Sequence, residues 1–406
     1  MVDPGGEPRP AGVLKRLLGR TRTAPTPAAV ARRSDLVPQL PSPAHYAAWW
    51  RGLSDAEREH LVREDPAALG ALDGLPAEVR DAANRTALRE YLERHTDKDV
   101  ATLSAALADY DQDPMARMFL MRFTPPSRPG AGDGLTAISR NNPDTATRKL
   151  VVVPGAGTGL HNIGRNLRRI TRLHMEADAK AGTLGAPDHA VMVWQGARAP
   201  RFGPEAARLD LAHAARAPLH SFLAGLKAAH QESESTVVLY GLSYGSVVAA
   251  QTVARYADVA ADTLIVGAGP GLGKGIAGVA DLHVADAYCL ASDADSITYL
   301  SPALHGVNPA SAEAGLKRLA TDPHGHHDYL EPGVGLDNAV AVFIGATDDL
   351  VAAEPRPAGG DPWRVLRHVD GLVRRQEHAA HRRPGAGDRP RPPRRPHARR
   401  GGRKGL

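Results

Sequence analysis

The hydrophobic texture of this 406-residue chain changes along its length. From about Ser42 to Met121 apolar residues recur at helical spacing. Ser54-Asp55-Ala56-Glu57 reads as a capping box, in which the serine hydroxyl accepts from the Glu57 amide while the glutamate reaches back to Ser54. Leu61, Val62, Leu69 and Leu72 supply an apolar face, and Gly74-Leu75-Pro76 interrupts it. Val79, Ala83, Leu88 and Leu92 mark a second helix, and Trp49 and Trp50 anchor the first. Thr124–Gly134 is a Pro/Gly-rich break. Beyond it, short apolar runs alternate with amphipathic stretches. The runs predict strands at Leu150–Val153, Ala190–Trp194, Val237–Tyr240, Leu264–Val266, Tyr288–Ala291 and Val340–Ile344. Helices are predicted over roughly Ile163–Ala179, Ala206–Ala229 and Ser246–Tyr256. Alternation at these lengths predicts a mostly parallel sheet with helices on both faces.

Four segments follow: a lead-in over 1–40, a helical region over 41–123, an α/β domain over 135–352 and a tail over 353–406. The Pro- and Ala-rich lead-in is expected to be disordered, with room for one short amphipathic helix at Val13–Leu18. Lys15 and Arg16 make that cluster too charged for the apolar core of a secretory signal. The Pro/Arg/Gly-rich tail is too polar to fold alone. The helical region reads as a packing module and offers a surface on which a protein partner could dock.

Composition narrows the picture. Hydrophobic residues make up 42% of the chain but aromatics only 4%, so the core must be mainly aliphatic. A single cysteine excludes a disulfide framework or a cysteine-based zinc site. No apolar run approaches the roughly 20 residues of a membrane helix, and a cytoplasmic location is the expectation. The net charge of +5 is uneven, because the segment from Val351 to Leu406 holds 15 basic against 5 acidic residues and the first 350 residues are therefore net −5. The tail has no interleaved aromatics beyond Trp363, so no base-stacking platform and no specific nucleic-acid partner are predicted.

The sharpest chemical signal is Thr236-Val237-Val238-Leu239-Tyr240-Gly241-Leu242-Ser243-Tyr244-Gly245, an apolar strand running through G-x-S-x-G into a small-residue helix. This is the context of a nucleophile elbow, in which glycines two residues to either side allow close packing while the serine hydroxyl stays exposed. Ser243 is thus the candidate nucleophile. Upstream, Val151-Val152-Val153-Pro154-Gly155-Ala156-Gly157-Thr158 leads a strand into a small-residue loop. Amides of Gly155, Ala156 and Gly157, with that of Tyr244, are candidates for an oxyanion hole.

An acid and a base should follow Ser243 in that order. Asp293 and Asp295 lie just past the strand ending at Ala291, and either can serve as the acid. Asp322-Pro323-His324-Gly325-His326-His327-Asp328-Tyr329 is the densest histidine cluster, and His326 is the candidate base. The cluster has metal-ligand residue types but lacks partners at ligand spacing, so neither metal nor cofactor is expected. Asp348 or Asp349, after the run Val342–Gly345, is a further candidate acid, although only tail histidines such as His368 follow it.

The stretches WWRGLSDAEREHLVREDPAALGALDGLPAEVRDAANR, NPDTATRKLVVVPGAGT, GLSYGS, HGVNP around His305 and GHHDY resemble an actinobacterial α/β-hydrolase family long catalogued as a domain of unknown function. The likeness runs from about Trp49 to Gly345. It implies an α/β-hydrolase fold with a helical N-terminal region and sets Ser243, Asp295 and His326 on the triad positions. The family's usual elbow reads G-H-S-Y-G, and Leu242 here replaces that histidine, which leaves the nucleophile but alters the pocket floor. One feature departs from ordinary hydrolase order: the histidine follows the last strand, yet His326 precedes the predicted strand Val340–Ile344. Either a short strand lies between Ile297 and Thr321, or a long loop delivers the histidine.

The glycine run Gly267–Gly275 fails both phosphate-loop patterns: Ala268 and Gly275 fall where the Walker loop needs Gly and Ser/Thr, and the dinucleotide spacing is missed. It reads as a flexible loop bordering the site. The sequence therefore predicts a serine esterase or similar acyl hydrolase acting on a small-molecule acyl or ester substrate. The alternative is a non-catalytic hydrolase-fold protein that docks through its helical region.

Overall fold

A computed structural model describes residues 36–112, 117–182, 189–230 and 234–356. Five helices come first: α1 (Pro43–Gly52), α2 (Asp55–Glu64), α3 (Pro66–Ala71), α4 (Ala77–Arg94) and α5 (Lys98–Tyr110). The capping box at the start of α2 forms as predicted, with the Ser54 amide donating to Glu57 at 2.7 Å. Strands and helices then alternate: β1 (Met118–Thr124), β2 (Leu135–Arg140), β3 (Arg148–Val153), α6 (Ile163–Ala181), β4 (His189–Gln195), α7 (Asp210–Ala229), β5 (Thr236–Leu242), α8 (Tyr244–Arg255), β6 (Thr263–Gly267), β7 (Asp286–Leu290), α9 (Pro302–His305), β8 (Lys317–Leu319) and α10 (Val334–Ile344).

The eight strands form one sheet in the order β1-β2-β4-β3-β5-β6-β7-β8. Strand β2 runs antiparallel to both β1 and β4, and every other neighbouring pair is parallel. Successive residues of a strand point to opposite faces, so β3 sends Val151 and Val153 to a core shared with α7 and α8, and Leu150 and Val152 to a second core under α5, α6 and α10. With helices on both faces of a sheet in this order, the chain has the α/β-hydrolase fold. No helix among the described residues is long and apolar enough to cross a membrane.

Three sequence expectations change. Val340–Ile344 is the end of helix α10, not a strand. Ala339 to Phe343 are all buried, so no polar face reveals the helical period and a short apolar run resembles a strand. The last strand is instead β8, three residues long and led by Lys317 and Arg318. It lies between Ile297 and Thr321, so His326 does follow the final strand. The helical region also ends earlier than Met121, because Met118–Thr124 is the edge strand β1.

That edge is covered rather than exposed. Asp81 Oδ1 accepts from the Leu120 amide at 2.7 Å, Asn84 Oδ1 accepts from the Phe123 amide at 3.2 Å, and Asn84 Nδ2 donates to the Leu120 carbonyl at 2.8 Å. Arg85 adds a bond from its guanidinium to the Met118 carbonyl at 2.8 Å. Residues 81, 84 and 85 share one face of α4, and together they satisfy a strand edge that would otherwise invite pairing.

The lead-in and tail are shorter than expected at their inner ends. Val37 is buried in a small core with Trp50, Leu61 and Leu69, and Arg356 is buried against the loop after β7, donating to the carbonyls of Ala291 and Ser292 at 3.0 and 2.9 Å. The expected amphipathic helix at Val13–Leu18, His368 and the arginine-rich tail lie outside the described residues.

Candidate active site

Strand β5 ends at Leu242 and α8 begins at Tyr244, which leaves Ser243 alone in the turn. Its backbone takes φ 55° and ψ −125°, a conformation costly for a residue with a Cβ and concentrated at functional sites. The turn is held by its surroundings. The Ser243 amide donates to the Gly267 carbonyl at 2.9 Å, and the Ser243 carbonyl accepts from the Ser246 amide and hydroxyl at 3.0 and 2.6 Å. Close packing explains Gly245, where a Cβ would sit 2.0 Å from the Val153 carbonyl oxygen. At Gly155 a Cβ would stand 2.7 Å from the Ser243 Cβ, so only glycine lets the loop after β3 pass over the serine.

The candidate acid and base arrive on two loops stitched together by Ser292. Its hydroxyl donates to the His324 carbonyl at 2.9 Å and accepts from the His324 amide at 3.1 Å. The loop after β7 is braced from behind by Arg356, whose guanidinium reaches the Thr298 hydroxyl at 2.8 Å, and that hydroxyl donates to the Asp295 carbonyl at 2.7 Å.

Within this frame His326 Nε2 lies 2.8 Å from Ser243 Oγ, and His326 Nδ1 lies 2.9 Å from Asp295 Oδ2. A carboxylate can only accept, so Nδ1 carries the proton toward Asp295 and Nε2 is left to accept from the serine. Asp295 is wholly buried, and three donors meet its carboxylate: His326, the Ile297 amide at 3.0 Å on Oδ1, and the Tyr329 hydroxyl at 2.9 Å on Oδ2. Tyr329 in turn accepts from the Ser292 amide at 2.9 Å. Burial, with the Asp295 charge beside it, pushes the Tyr329 phenol well above its ordinary pKa, so it remains a donor. Sequence reasoning gave Tyr329 no role, although the stretch GHHDY contained it.

The other candidates part company with this group. Asp293 is mostly exposed and accepts from Arg318 and Arg356, each at 2.8 Å. Burial pushes its pKa up, but the hydrogen bond from Arg356 and the charges of both arginines outweigh this and hold it below the ordinary value. It is a structural ion pair and makes no bond to His326. Asp348 is exposed in the turn after α10; once that run is a helix, the residue no longer follows a strand. His324 turns elsewhere, its ring packing edge-on against Tyr329 and its Nδ1 lying 2.9 Å from the Gly325 carbonyl, while the His327 ring packs edge-on against His326 and makes no bond to Ser243 or Asp295 among the described residues. Among the described residues no three His, Cys, Asp or Glu side chains gather as for a metal ion.

The four candidate oxyanion amides also divide. The Gly157 amide is committed to the Pro200 carbonyl at 2.8 Å, so Gly157 is removed as a donor. Its carbonyl and that of Gly155 accept from Asn162 and Thr158 side chains at 3.0 and 2.7 Å, which fix the loop's shape. The amides of Gly155, Ala156 and Tyr244 donate to no acceptor among the described residues, and Tyr244 stands at the N-terminus of α8, where amides are unpaired. The Tyr244 side chain does something else. Its hydroxyl donates to the Arg208 carbonyl at 2.7 Å and accepts from the Ala212 amide at 3.1 Å, pinning the start of α7, while burial raises its pKa to about 12.

Leu242 packs into the core beneath α6 and α10. The glycine run is tightly packed rather than flexible: the Gly273 amide donates to the His305 carbonyl at 2.6 Å, and a Cβ at Gly271 would lie 2.3 Å from that same oxygen. His305 is buried edge-on against Tyr244 at 6.1 Å, with its pKa lowered by burial, and it braces the elbow without touching Ser243, His326 or Asp295.

Residues 129–306 match the model of a family described as alpha/beta hydrolase. Two uncharacterized proteins of Mycobacterium tuberculosis, from strains CDC 1551 and H37Rv, are each 28% identical over 269 residues, an alignment covering 56% of this chain and 40% of each relative. The chain thus spans about two-fifths of the length of these curated relatives. Among solved structures, esterase PE8 is 19% identical with a TM-score of 0.36, covering 51% of this chain and 97% of that one. A hyperthermophilic esterase from the archaeon Pyrobaculum calidifontis is 14% identical with a TM-score of 0.37, covering 65% of this chain and 97% of that one.

Proposed function

We propose, from the premise that this chain is an α/β hydrolase by fold, that it is a serine hydrolase cleaving an ester or a similar acyl bond. The observation that carries the reading is the hydrogen-bonded series Asp295–His326–Ser243, at 2.9 and 2.8 Å, with the serine in a strained turn. As Ser243 Oγ attacks the substrate carbonyl, its proton passes to His326 Nε2, and the carbonyl π electrons move onto oxygen. The amides of Tyr244 and of Ala156 or Gly155 face the developing oxyanion. Asp295 stabilises the imidazolium through Nδ1–H without taking the proton. Collapse of the tetrahedral intermediate breaks the bond to the leaving group, which receives the proton from Nε2. A water molecule then repeats the sequence on the acyl-enzyme, releasing the acid and restoring Ser243.

Turnover of p-nitrophenyl esters by the full chain and by Ser243→Ala tests this. The reading expects hydrolysis that the substitution reduces by several orders of magnitude. Equal rates in the two proteins would overturn it.

A further inference from the structure

Helix α6 leaves the loop after β3 and runs along the segment that carries His326. Arg165, Arg169 and Arg172 stand at intervals of four and three and so share the face turned to that segment. Their surroundings differ. Arg172 is ion-paired, its Nη1 donating to Glu331 at 2.5 Å and to the Leu330 carbonyl at 2.8 Å. Arg169, half-buried, has one long bond of 3.4 Å to the His327 carbonyl and no carboxylate partner among the described residues. Arg165, one turn nearer the candidate oxyanion loop, is exposed and likewise forms no ion pair among the described residues.

Arg169 reaches the His327 backbone and Arg165 stands one turn away on the same face; the His327 ring packs edge-on against that of His326 with centroids 5.5 Å apart. Burial lowers the His327 pKa first, and the charges of His326, Arg169 and Arg165 lower it further, with Asp328 acting the other way. Of the two carboxylates that act on Arg169, Glu331 is taken by Arg172, which leaves two guanidinium groups against Asp328, while Asp349 pairs with Lys180 at the far end of the helix. Partial burial of Arg169, the first cause of its lowered pKa, removes water from a cation with several donors to spare. A guanidinium fork in that condition suits a phosphate or carboxylate.

We propose that the substrate carries an anionic group, phosphate or carboxylate, which Arg165 and Arg169 hold beside His326 and so direct the scissile carbonyl toward Ser243. This rests on the serine-hydrolase reading for its chemistry but not for its binding. It separates this site from one that takes only neutral esters.

The test uses Ser243→Ala in the full chain, so that binding is read without turnover. Calorimetry compares monoethyl succinate and ethyl phosphate with neutral ethyl butyrate, in that protein and after adding Arg165→Gln, Arg169→Gln or both. The expected result is that one or both anionic compounds bind on the order of tenfold or more tighter than the neutral one. The preference should weaken as salt rises and fall toward unity in the double arginine variant. The exposed Arg165→Gln alone, in a protein whose thermal unfolding is unchanged, should lose part of it. The phosphate and succinate arms distinguish the two anion types. Equal affinity for anionic and neutral compounds, or a preference that survives both substitutions, overturns the proposal. Turnover of mono-p-nitrophenyl succinate and p-nitrophenyl butyrate by the chain with Ser243 intact is read separately: anion preference without turnover sinks the hydrolase reading alone, and turnover without preference sinks the anion site alone.

Discussion

Replacing Tyr329 with phenylalanine removes one oxygen from the centre of the candidate site. That oxygen makes two hydrogen bonds, donating to Asp295 Oδ2 at 2.9 Å and accepting from the Ser292 amide at 2.9 Å. A hydrogen bond to a charged group contributes about 1.5–3 kcal/mol, and a buried amide left without an acceptor costs about 1–3 kcal/mol. Tyr329→Phe should therefore lose roughly 2.5–6 kcal/mol of stability. Asp295 retains the Ile297 amide and His326, so its charge stays compensated while its direction is less fixed. About 1.4 kcal/mol of lost orientation corresponds to a tenfold fall in kcat. KM should stay within about twofold, because Tyr329 is buried behind the acid and meets no substrate. Urea unfolding gives the first quantity and steady-state ester hydrolysis the second. Wild-type kcat together with wild-type stability would refute the assignment of Tyr329 as the residue that positions Asp295; lost stability with full kcat would reduce it to a structural role.

Other consequences are equally direct. Asp295→Asn removes the negative charge that stabilises the imidazolium and sets an amide NH2 where it can donate to Nδ1, favouring the wrong imidazole tautomer, so kcat should drop on the order of 10³–10⁴-fold with the fold retained, as checked by circular dichroism and ester turnover. Asn84→Ala strips the cover from β1, leaving the Phe123 amide without its acceptor and the Leu120 carbonyl without the Asn84 donor, and the urea midpoint should move by the equivalent of about 2–4 kcal/mol. Asp144, accepting from the Ala77 amide at the start of α4, has its pKa raised to about 6, chiefly by burial. Since that folded value lies above the unfolded one, the stabilisation is full below about pH 4 and is lost as pH rises through 6, at most about 3 kcal/mol. Asp144→Asn should flatten that part of the stability-versus-pH curve, and an unchanged slope would contradict the assignment.

Much of this was legible in the residues. The elbow could be read because a strand, a G-x-S-x-G turn and a small-residue helix leave Ser243 few other conformations. The candidate acid could not be singled out locally, since Asp293 and Asp295 are two residues apart after the same strand. Their difference lies in partners distant in sequence: Arg318 and Arg356 draw Asp293 outward, while Tyr329 and His326 enclose Asp295. The sheet's two ends were the hardest to see. Strand β1 is buried along most of its length and so does not alternate, β8 is three residues long and charged, and α10 is apolar on nearly every side. Each hides the periodicity by which elements are recognised. The segment VRDAANR shows the converse: its Asp81, Asn84 and Arg85 look like surface polarity on a helix, and only the fold reveals that they satisfy the edge of β1.

The central claim is that Ser243 is an activated nucleophile, and labelling by a fluorophosphonate tests it most directly. The probe is added to the native full chain, and the modified peptide is identified by mass spectrometry. The account predicts a covalent adduct on Ser243 that disappears when the protein is heat-denatured before labelling. A folded chain that acquires no adduct at Ser243 would contradict it.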